Sequence, residues 1–153
     1  MNTLLYKQAE AIIDYTLPNI SNISNLIALL YHELEHINWL GFYICDDSKQ
    51  QCTLGPFQGK VACTRIPYGN GVVGTCVKTK KIQRINNVNE FKGHIACDSQ
   101  SKSELCIPIK KDDIIYAILD IDSDILNRFS IEDEETLFKI SKLFTQLFSR
   151  DNA

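Results

Sequence analysis

The hydrophobic positions near both ends of the chain recur at the three- and four-residue steps that are typical of amphipathic helices. Residues 3–15 form the first such segment, and Pro18 is predicted to end it. Ser24 is predicted to cap a second helix that continues to Ile37. Ser130 begins a capping-box pattern before a third segment. The sequence therefore predicts two helices at the N-terminus and one at the C-terminus.

Between these helices the hydrophobic period changes to two, which is the period of β-strands. Strands are predicted over residues 38–45, about 52–57, 82–85 and 104–109, and a longer one over 114–122. The last two strands are joined by a polar turn and read as a hairpin. The predicted class is α+β: a central antiparallel sheet with the N- and C-terminal helices on one face and a loop-covered pocket on the other.

The alternation within the strands indicates which side chains point away from the helices. Trp39 and Tyr43 share that face, at about 13 Å along an extended strand, so they are predicted to wall a pocket without touching. Glu104, Asp120 and Asp122 share it if the last two strands pair. Taken singly, these residues also fit ordinary packing or a solvated strand end. Together, three carboxylates in one cleft indicate an amine-bearing or proton-demanding ligand.

Length and charge narrow the class of protein. The 153 residues fit one domain spanning 1–153, and 16 basic against 19 acidic residues give a net charge of −3. The sequence has no basic block that could follow a phosphate backbone, so nucleic acid is not a predicted partner. It has neither a signal peptide nor an apolar run approaching the roughly eighteen residues of a membrane span. A cytoplasmic protein with no membrane partner is predicted.

The six cysteines are read as thiols, because structural disulfides are rare in the cytosol. They contain no Cys-x-x-Cys pair, so no metal site is predicted. Cys97 follows His94, which would favour a thiolate, and precedes Asp98, which would disfavour it. Spacing alone leaves the reactivity of Cys97 undecided.

The segment Gly69–Gly74 matches the dinucleotide pattern G-x-G-x-x-G, but its context does not fit. A true fingerprint follows a buried strand of a βαβ unit, and Ile66-Pro67-Tyr68 is a poor candidate for one. The glycines are predicted to form a tight turn into a helix.

An ordered series of motifs runs from residue 38 to residue 123. It consists of NWLGFY, GPFQGKVACTRIP, GNGVVGT, GHIACDS, Ser103-Glu104 and LDIDS. This series resembles the free methionine-R-sulfoxide reductases, a family built on a GAF-type domain. The resemblance implies a GAF-like fold and an enzyme that reduces free L-methionine (R)-S-oxide to L-methionine.

The resemblance also implies roles for individual residues. Cys97, in GHIACDS, takes the role of the nucleophile, and Cys63, in ACTRI, that of its resolving partner. A further family cysteine is replaced here by Val73, and its role is not transferred to Cys76. Cys106 matches no catalytic position and is predicted to be a small packed side chain.

The remaining motif positions describe the pocket. Trp39 and Tyr43 correspond to the wall around the S-methyl group of the substrate, and Glu104, Asp120 and Asp122 to its polar end. A sulfoxide must be protonated before a thiolate can attack it, and either Glu104 or Asp122 could supply the proton. The other carboxylates, Asp120 among them, would pair with the α-ammonium group.

The implied cycle passes through a sulfenic acid and a Cys63–Cys97 disulfide, which a thioredoxin-like reductant returns to thiols. No metal or organic cofactor is required. The alternative is a non-catalytic GAF-type module that binds a small ligand or senses redox state. The sequence leaves the oligomeric state open, a homodimer included.

Overall fold

The structure is a computed structural model and describes residues 2–93 and 100–150. Helices and strands alternate in groups along the chain, and a 3-10 turn at Val88–Glu90 precedes the last hairpin. In chain order the elements are α1 (Thr3–Ala11), α2 (Asn19–Glu33), β1 (Trp39–Asp46), β2 (Gln51–Gly59), β3 (Arg65–Pro67), α3 (Gly71–Thr79), β4 (Gln83–Ile85), β5 (Ser103–Lys111), β6 (Ile114–Ser123) and α4 (Ile131–Phe148).

The strands form one six-stranded sheet in the order β3-β2-β1-β6-β5-β4. All neighbouring strands are antiparallel, and β5 and β6 form the predicted hairpin. β1 and β6 are the central strands, and each of them is covered on its two faces. Large apolar side chains therefore occur on the two faces of each strand. The predicted α+β class is confirmed.

Helices α1, α2 and α4 cover one face of the sheet, as predicted. The main hydrophobic core lies beneath them and is formed with alternate residues of β1, β5 and β6. Phe42 illustrates the packing: its ring makes an edge contact with Phe144 of α4, with centroids 4.6 Å apart. A second apolar cluster lies on the opposite face, under α3. In the described ranges, no helix combines the length and the apolar character needed to cross a bilayer.

The predicted limits of the first two helices were wrong. Helix α1 stops at Ala11, because the next segment forms a turn in which Asn22 bonds both the backbone N–H and C=O groups of Asp14. Helix α2 starts at Asn19, directly after Pro18, whose ring fits the extended backbone at the N-cap. Ser24 is an exposed residue within the helix rather than its cap.

Two details of the sheet also differ from prediction. The stretch after Gly59, predicted to be loop, contains the short edge strand β3. The alternation along β6 predicts that Ile115, like Ala117, faces the terminal helices, but Ile115 belongs to the apolar cluster on the other face. The β5–β6 register shifts between Ile109 and Lys110, so Tyr116 is an extra residue on β6. Such a bulge reverses the faces of the residues beyond it.

Candidate active site

A cleft lies on the sheet face opposite the three terminal helices, with an empty volume of about 560 Å³ that includes space open to solvent. Aromatic side chains of β1, carboxylates of β5 and β6, and backbone from the adjoining loops and α3 meet there. The described lining residues are Trp39, Tyr43, Val61, Ala62, Ile66, Asn70, Gly71, Val72, Val73, Ser101, Glu104, Asp120 and Asp122. The cleft therefore holds the pocket residues predicted from the sequence.

Strand pairing explains why the three carboxylates meet. Glu104 of β5 lies directly opposite Asp122 of β6, and Asp122 lies opposite Trp39 of β1. Glu104 and Asp120 are 7% and 4% exposed, whereas Asp122 is half-buried. The prediction that these side chains share one face is confirmed, and two of the three acids lie well away from bulk water.

The environment of Glu104 favours its neutral form. Burial is the largest cause that raises the pKa of this carboxyl group well above its ordinary value, followed by the charges of Asp120 and Asp122. A hydrogen bond with Asp120 acts in the same direction, and one with Cys106 opposes it. A carboxylic acid that keeps its proton where glutamates are normally ionised is suited to proton donation.

Cys106 contacts two of these carboxyl groups, which the sequence analysis missed. Its Sγ lies 3.3 Å from Asp120 Oδ1 and 3.5 Å from Glu104 Oε2, and the residue is fully buried. It is packed, as predicted, but against acids as well as apolar groups. The signal that could have revealed this was the hairpin register, which places Cys106 opposite Asp120.

The aromatic wall is a stack of three rings. Trp39 lies 5.8 Å from Tyr43 and 5.1 Å from Phe57 of β2 between ring centroids, with interplanar angles of 22° and 15°. The prediction that Trp39 and Tyr43 do not touch was wrong. Side chains on a strand lean along the strand direction, so two large rings on the same face can reach each other across the intervening residues. Phe57 was not identified from the sequence.

The indole and hydroxyl groups of the aromatic wall form hydrogen bonds with the backbone of residues 60–63, a segment that lines the cleft. The Trp39 indole N–H donates to the Lys60 carbonyl oxygen at 3.1 Å, and the Tyr43 hydroxyl donates to the Cys63 carbonyl oxygen at 3.0 Å. Burial, and then the nearby carboxylates, raise the pKa of Tyr43 well above its ordinary value, so the phenol keeps its proton. Trp39 and Tyr43 thus fix the backbone on either side of Val61 and Ala62.

Comparisons with known proteins agree with this geometry. The GAF domain family matches residues 16–146. The free methionine-R-sulfoxide reductase of Escherichia coli is 49% identical over 118 residues, which are 77% of this chain and 70% of the relative. The chain belongs to the free methionine-R-sulfoxide reductase family.

Two further comparisons show how much of the chain is shared with relatives. Protein YtsP of Bacillus subtilis is 48% identical over 139 residues, covering 91% of this chain and 85% of the relative. A structure of fRMsr of Staphylococcus aureus in complex with substrate superposes with a TM-score of 0.88 at 46% identity, covering 96% of this chain and 95% of that one. The GAF-like fold predicted from the sequence is confirmed.

Cys97, predicted from the sequence to be the nucleophile, lies outside the described residues, together with His94 and Asp98. Cys63 is half-buried and takes part in a disulfide. The thiols of Cys45, Cys52, Cys76 and Cys106 are free. Of the five described cysteines, Cys63 is thus the one that takes part in a disulfide.

The glycine-rich segment forms the start of α3, as predicted for a tight turn. Gly69 and Gly71 have φ angles of 88° and 65°, and the Gly71 N–H donates to the Gly93 carbonyl oxygen at 3.1 Å. The segment follows the short antiparallel strand β3, not a buried parallel strand, so it does not resemble a dinucleotide site. Val73, at the position of the missing family cysteine, lines the cleft, while Cys76 is fully buried one turn further along.

One group of described side chains has the spacing of metal ligands. Glu104, Cys106 and Asp120 each offer an atom within 4.8 Å of the other two, so they could coordinate a single cation. The family chemistry implied by the sequence uses no metal, and that absence stays a prediction.

Proposed function

We propose that this chain reduces free L-methionine (R)-S-oxide to L-methionine, using its own cysteines as the source of electrons. The observation that carries the proposal is the position of Glu104, a buried carboxyl group with a raised pKa that faces a cleft walled by Trp39 and Tyr43. The protonated acid can donate a proton to the sulfoxide oxygen, and the aromatic wall can receive the methyl group on the sulfur.

The first step is transfer of oxygen from the substrate to Cys97. Glu104 protonates the sulfoxide oxygen while the Cys97 thiolate attacks the sulfur. The S–O bond of the substrate then breaks as the hydroxyl oxygen passes to Cys97 Sγ, so methionine leaves and Cys97 becomes a sulfenic acid. Asp122 is the other carboxyl group that the sequence offers as proton donor. Because Asp122 is half-buried and Glu104 is 7% exposed, we assign the proton to Glu104.

Selectivity for the free amino acid follows from the remaining carboxylates. Asp120 and Asp122, when ionised, would hold the α-ammonium group, which a methionine within a peptide lacks. The methyl group would lie against Trp39 and Tyr43, where apolar surface replaces water. The cleft thus separates a polar end from an apolar end of the substrate.

The second half of the cycle restores the thiol. The Cys63 thiol condenses with the Cys97 sulfenic acid, which releases water and forms a disulfide that a thioredoxin-like dithiol reduces. This pairing is supported by the disulfide at Cys63 and by the free thiols of the other four described cysteines. The proposal includes a thioredoxin-like donor and a cytoplasmic location. It also includes a single domain over residues 1–153. It does not require a homodimer.

The proposal is tested by following reductant consumption with thioredoxin and resolved substrates. We expect turnover of the free R diastereomer, and little or none of the free S diastereomer or of the N-acetylated R form. Binding of the R form without turnover would instead support the non-catalytic ligand-sensing or redox-sensing module.

Cys63→Ser is expected to separate the two halves of the cycle. The first equivalent of methionine should form at the wild-type rate, because Cys97 and the acid are unchanged. Later turnovers should become at least about tenfold slower, since no thiol is left to resolve the sulfenic acid. Quenched-flow measurement of methionine distinguishes the phases. The matched control is Cys76→Ser, which should keep most of the steady-state rate; an equal loss there would place the resolving thiol at Cys76.

Tyr43→Phe is expected to loosen the Cys63 segment while keeping the aromatic wall. The lost hydrogen bond is worth about 0.5–1.5 kcal/mol, so thioredoxin-linked turnover should fall by roughly two- to tenfold. Tyr68→Phe is the matched control, because the Tyr68 hydroxyl bonds Asp47, away from Cys63. Equal losses in the two variants would show that the contact with Cys63 has no special part in recycling.

A further inference from the structure

The Cys106 thiol lies between two carboxyl groups of the cleft. Its Sγ is 3.3 Å from Asp120 Oδ1 and 3.5 Å from Glu104 Oε2, and its side chain is completely buried. The contact is built by strand register, because Cys106 of β5 pairs with Asp120 of β6 and lies two residues from Glu104 on the same face. The proposed cycle assigns no task to this thiol.

The surroundings of Cys106 keep it protonated. Burial, and then the charges of Asp120 and Glu104, raise the pKa of the thiol well above its ordinary value. A neutral, fully buried thiol is a poor nucleophile, so Cys106 is not a second reactive cysteine. It is a hydrogen-bond donor with one proton and two carboxyl acceptors in reach.

The other titratable groups that face this thiol come from each element packed against it. They are Asp120 and Asp122 from β6, Tyr43 from β1 and Cys76 from α3. On β4 the residue paired with Cys106 is Gln83, which does not titrate. The carboxylates of this set repel one another when they are ionised, so a further negative charge would be unfavourable. The neutral Cys106 thiol can stabilise one carboxylate by a hydrogen bond without adding charge.

The thiol has one proton, and its Sγ lies nearer to Asp120 Oδ1, at 3.3 Å, than to Glu104 Oε2, at 3.5 Å. We propose that Cys106 is a positioning residue: donation of its S–H to Asp120 rather than to Glu104 favours the state in which Asp120 is ionised and Glu104 holds the proton. The proposal rests on the proposed function, which needs both states at once: a carboxylate for the substrate ammonium and an acid for the sulfoxide oxygen. Two adjoining carboxyl groups tend to share one proton. A hydrogen bond donated by Cys106 to Asp120 therefore biases the shared proton towards Glu104.

The direction of the effect follows from the protonation states. A hydrogen bond donated to the ionised form of an acid lowers its pKa, so removing the Cys106 donor raises the pKa values of the carboxyl pair. On acidification, Asp120 would then become protonated at a higher pH than in the wild type. The substrate-binding form would be lost at that higher pH. Serine keeps a donor at this position, whereas alanine and valine do not.

The test uses Trp39, which lines the cleft and is the single tryptophan of the chain. Its fluorescence is titrated with acid in fully reduced protein, which requires no turnover. We expect the midpoint to rise by about half a pH unit or more in Cys106→Ala, given the usual strength of a hydrogen bond. Cys106→Val, which leaves no space for a water, should show the same rise. Cys106→Ser and the matched buried-thiol control Cys52→Ala should titrate like the wild type.

The same variants are compared in the pH dependence of kcat/KM for free methionine-R-sulfoxide. The acidic limb should move upward in Cys106→Ala and Cys106→Val, with KM rising more than kcat falls, and should return towards wild type in Cys106→Ser. Wild-type titrations and profiles in the alanine and valine variants, or a serine variant that shifts as far as alanine, would overturn the positioning role. Absence of wild-type turnover would overturn the proposed function itself. The fluorescence titration needs no turnover, so it tests the positioning of the proton separately.

Discussion

Replacing Cys97 by serine is expected to abolish reduction of free methionine-R-sulfoxide, with a loss of about a thousandfold or more. A serine hydroxyl is not ionised near neutral pH, so it cannot attack the sulfoxide sulfur and take up its oxygen as a thiolate does. Substrate binding should persist, because the residues proposed to bind the methyl and ammonium groups are unchanged. Methionine formed in the presence of excess dithiol is measured by amino-acid analysis, and binding by quenching of Trp39 fluorescence.

The controls for this variant remove other thiols by the same chemical change. Cys45→Ser and Cys52→Ser alter two free cysteines on β1 and β2, whose Sγ atoms lie 3.8 Å apart. Neither cysteine is among the described residues that line the cleft. Both variants should retain most of the activity. Turnover by Cys97→Ser within tenfold of the wild type would remove Cys97 from the role of nucleophile.

Glu104→Gln is expected to lower kcat by about 10²–10⁴-fold, the usual contribution of a positioned general acid. Glutamine keeps the shape and much of the hydrogen-bonding capacity of the side chain but has no acidic proton. Because the active form of Glu104 is the protonated one, wild-type activity should decline as the pH rises through its raised pKa. The residual activity of the glutamine variant should lack that decline.

Two comparisons sharpen this prediction. Asp122→Asn tests the other candidate acid, and it should raise KM more than it lowers kcat, since Asp122 is assigned to the substrate ammonium. Glu135→Gln changes an exposed glutamate of α4 and should leave the rate unchanged. A larger fall in kcat for Asp122→Asn than for Glu104→Gln would transfer the proton to Asp122.

The same buried acid also affects stability. The pKa of Glu104 is raised in the folded state, so its contribution is fully present below the ordinary glutamate pKa and is lost as the pH rises through the folded value. Glu104→Gln should therefore flatten the decline of Tm between the ordinary glutamate pKa and the raised value of the folded state. Thermal unfolding of both proteins across that range measures the difference.

The fold was largely predictable because its main elements have clear periods. The alternating residues of β1, β5 and β6 separate the helix-facing core from the cleft face, and Ser130 and Asp133 form the predicted capping box of α4. The start of α2 was missed because Pro18 preceded a segment that also fits a later cap at Ser24. Strand β3 was missed because three residues are too few to show a period.

The residues that form the site were predictable from the sequence, but the contacts between their side chains were less so. Alternation places Glu104, Asp120 and Asp122 on one face regardless of twist, whereas ring stacking and hydrogen bonds depend on where the side chains lean. The stacking of Trp39 on Tyr43 depends on how far each ring leans along β1, which the local sequence does not show. The role of Cys106 depends on distances of 3.3 and 3.5 Å, which a face assignment cannot supply.

The central claim is that oxygen leaves free methionine-R-sulfoxide through the cysteines of this chain. Its most direct test mixes fully reduced protein with excess substrate and no external reductant, then measures methionine and maps the thiols by mass spectrometry. We predict about one methionine per chain, with Cys63 and Cys97 recovered as a disulfide and the other four cysteines as thiols. No methionine, or methionine formed while Cys63 and Cys97 both remain thiols, would contradict the account.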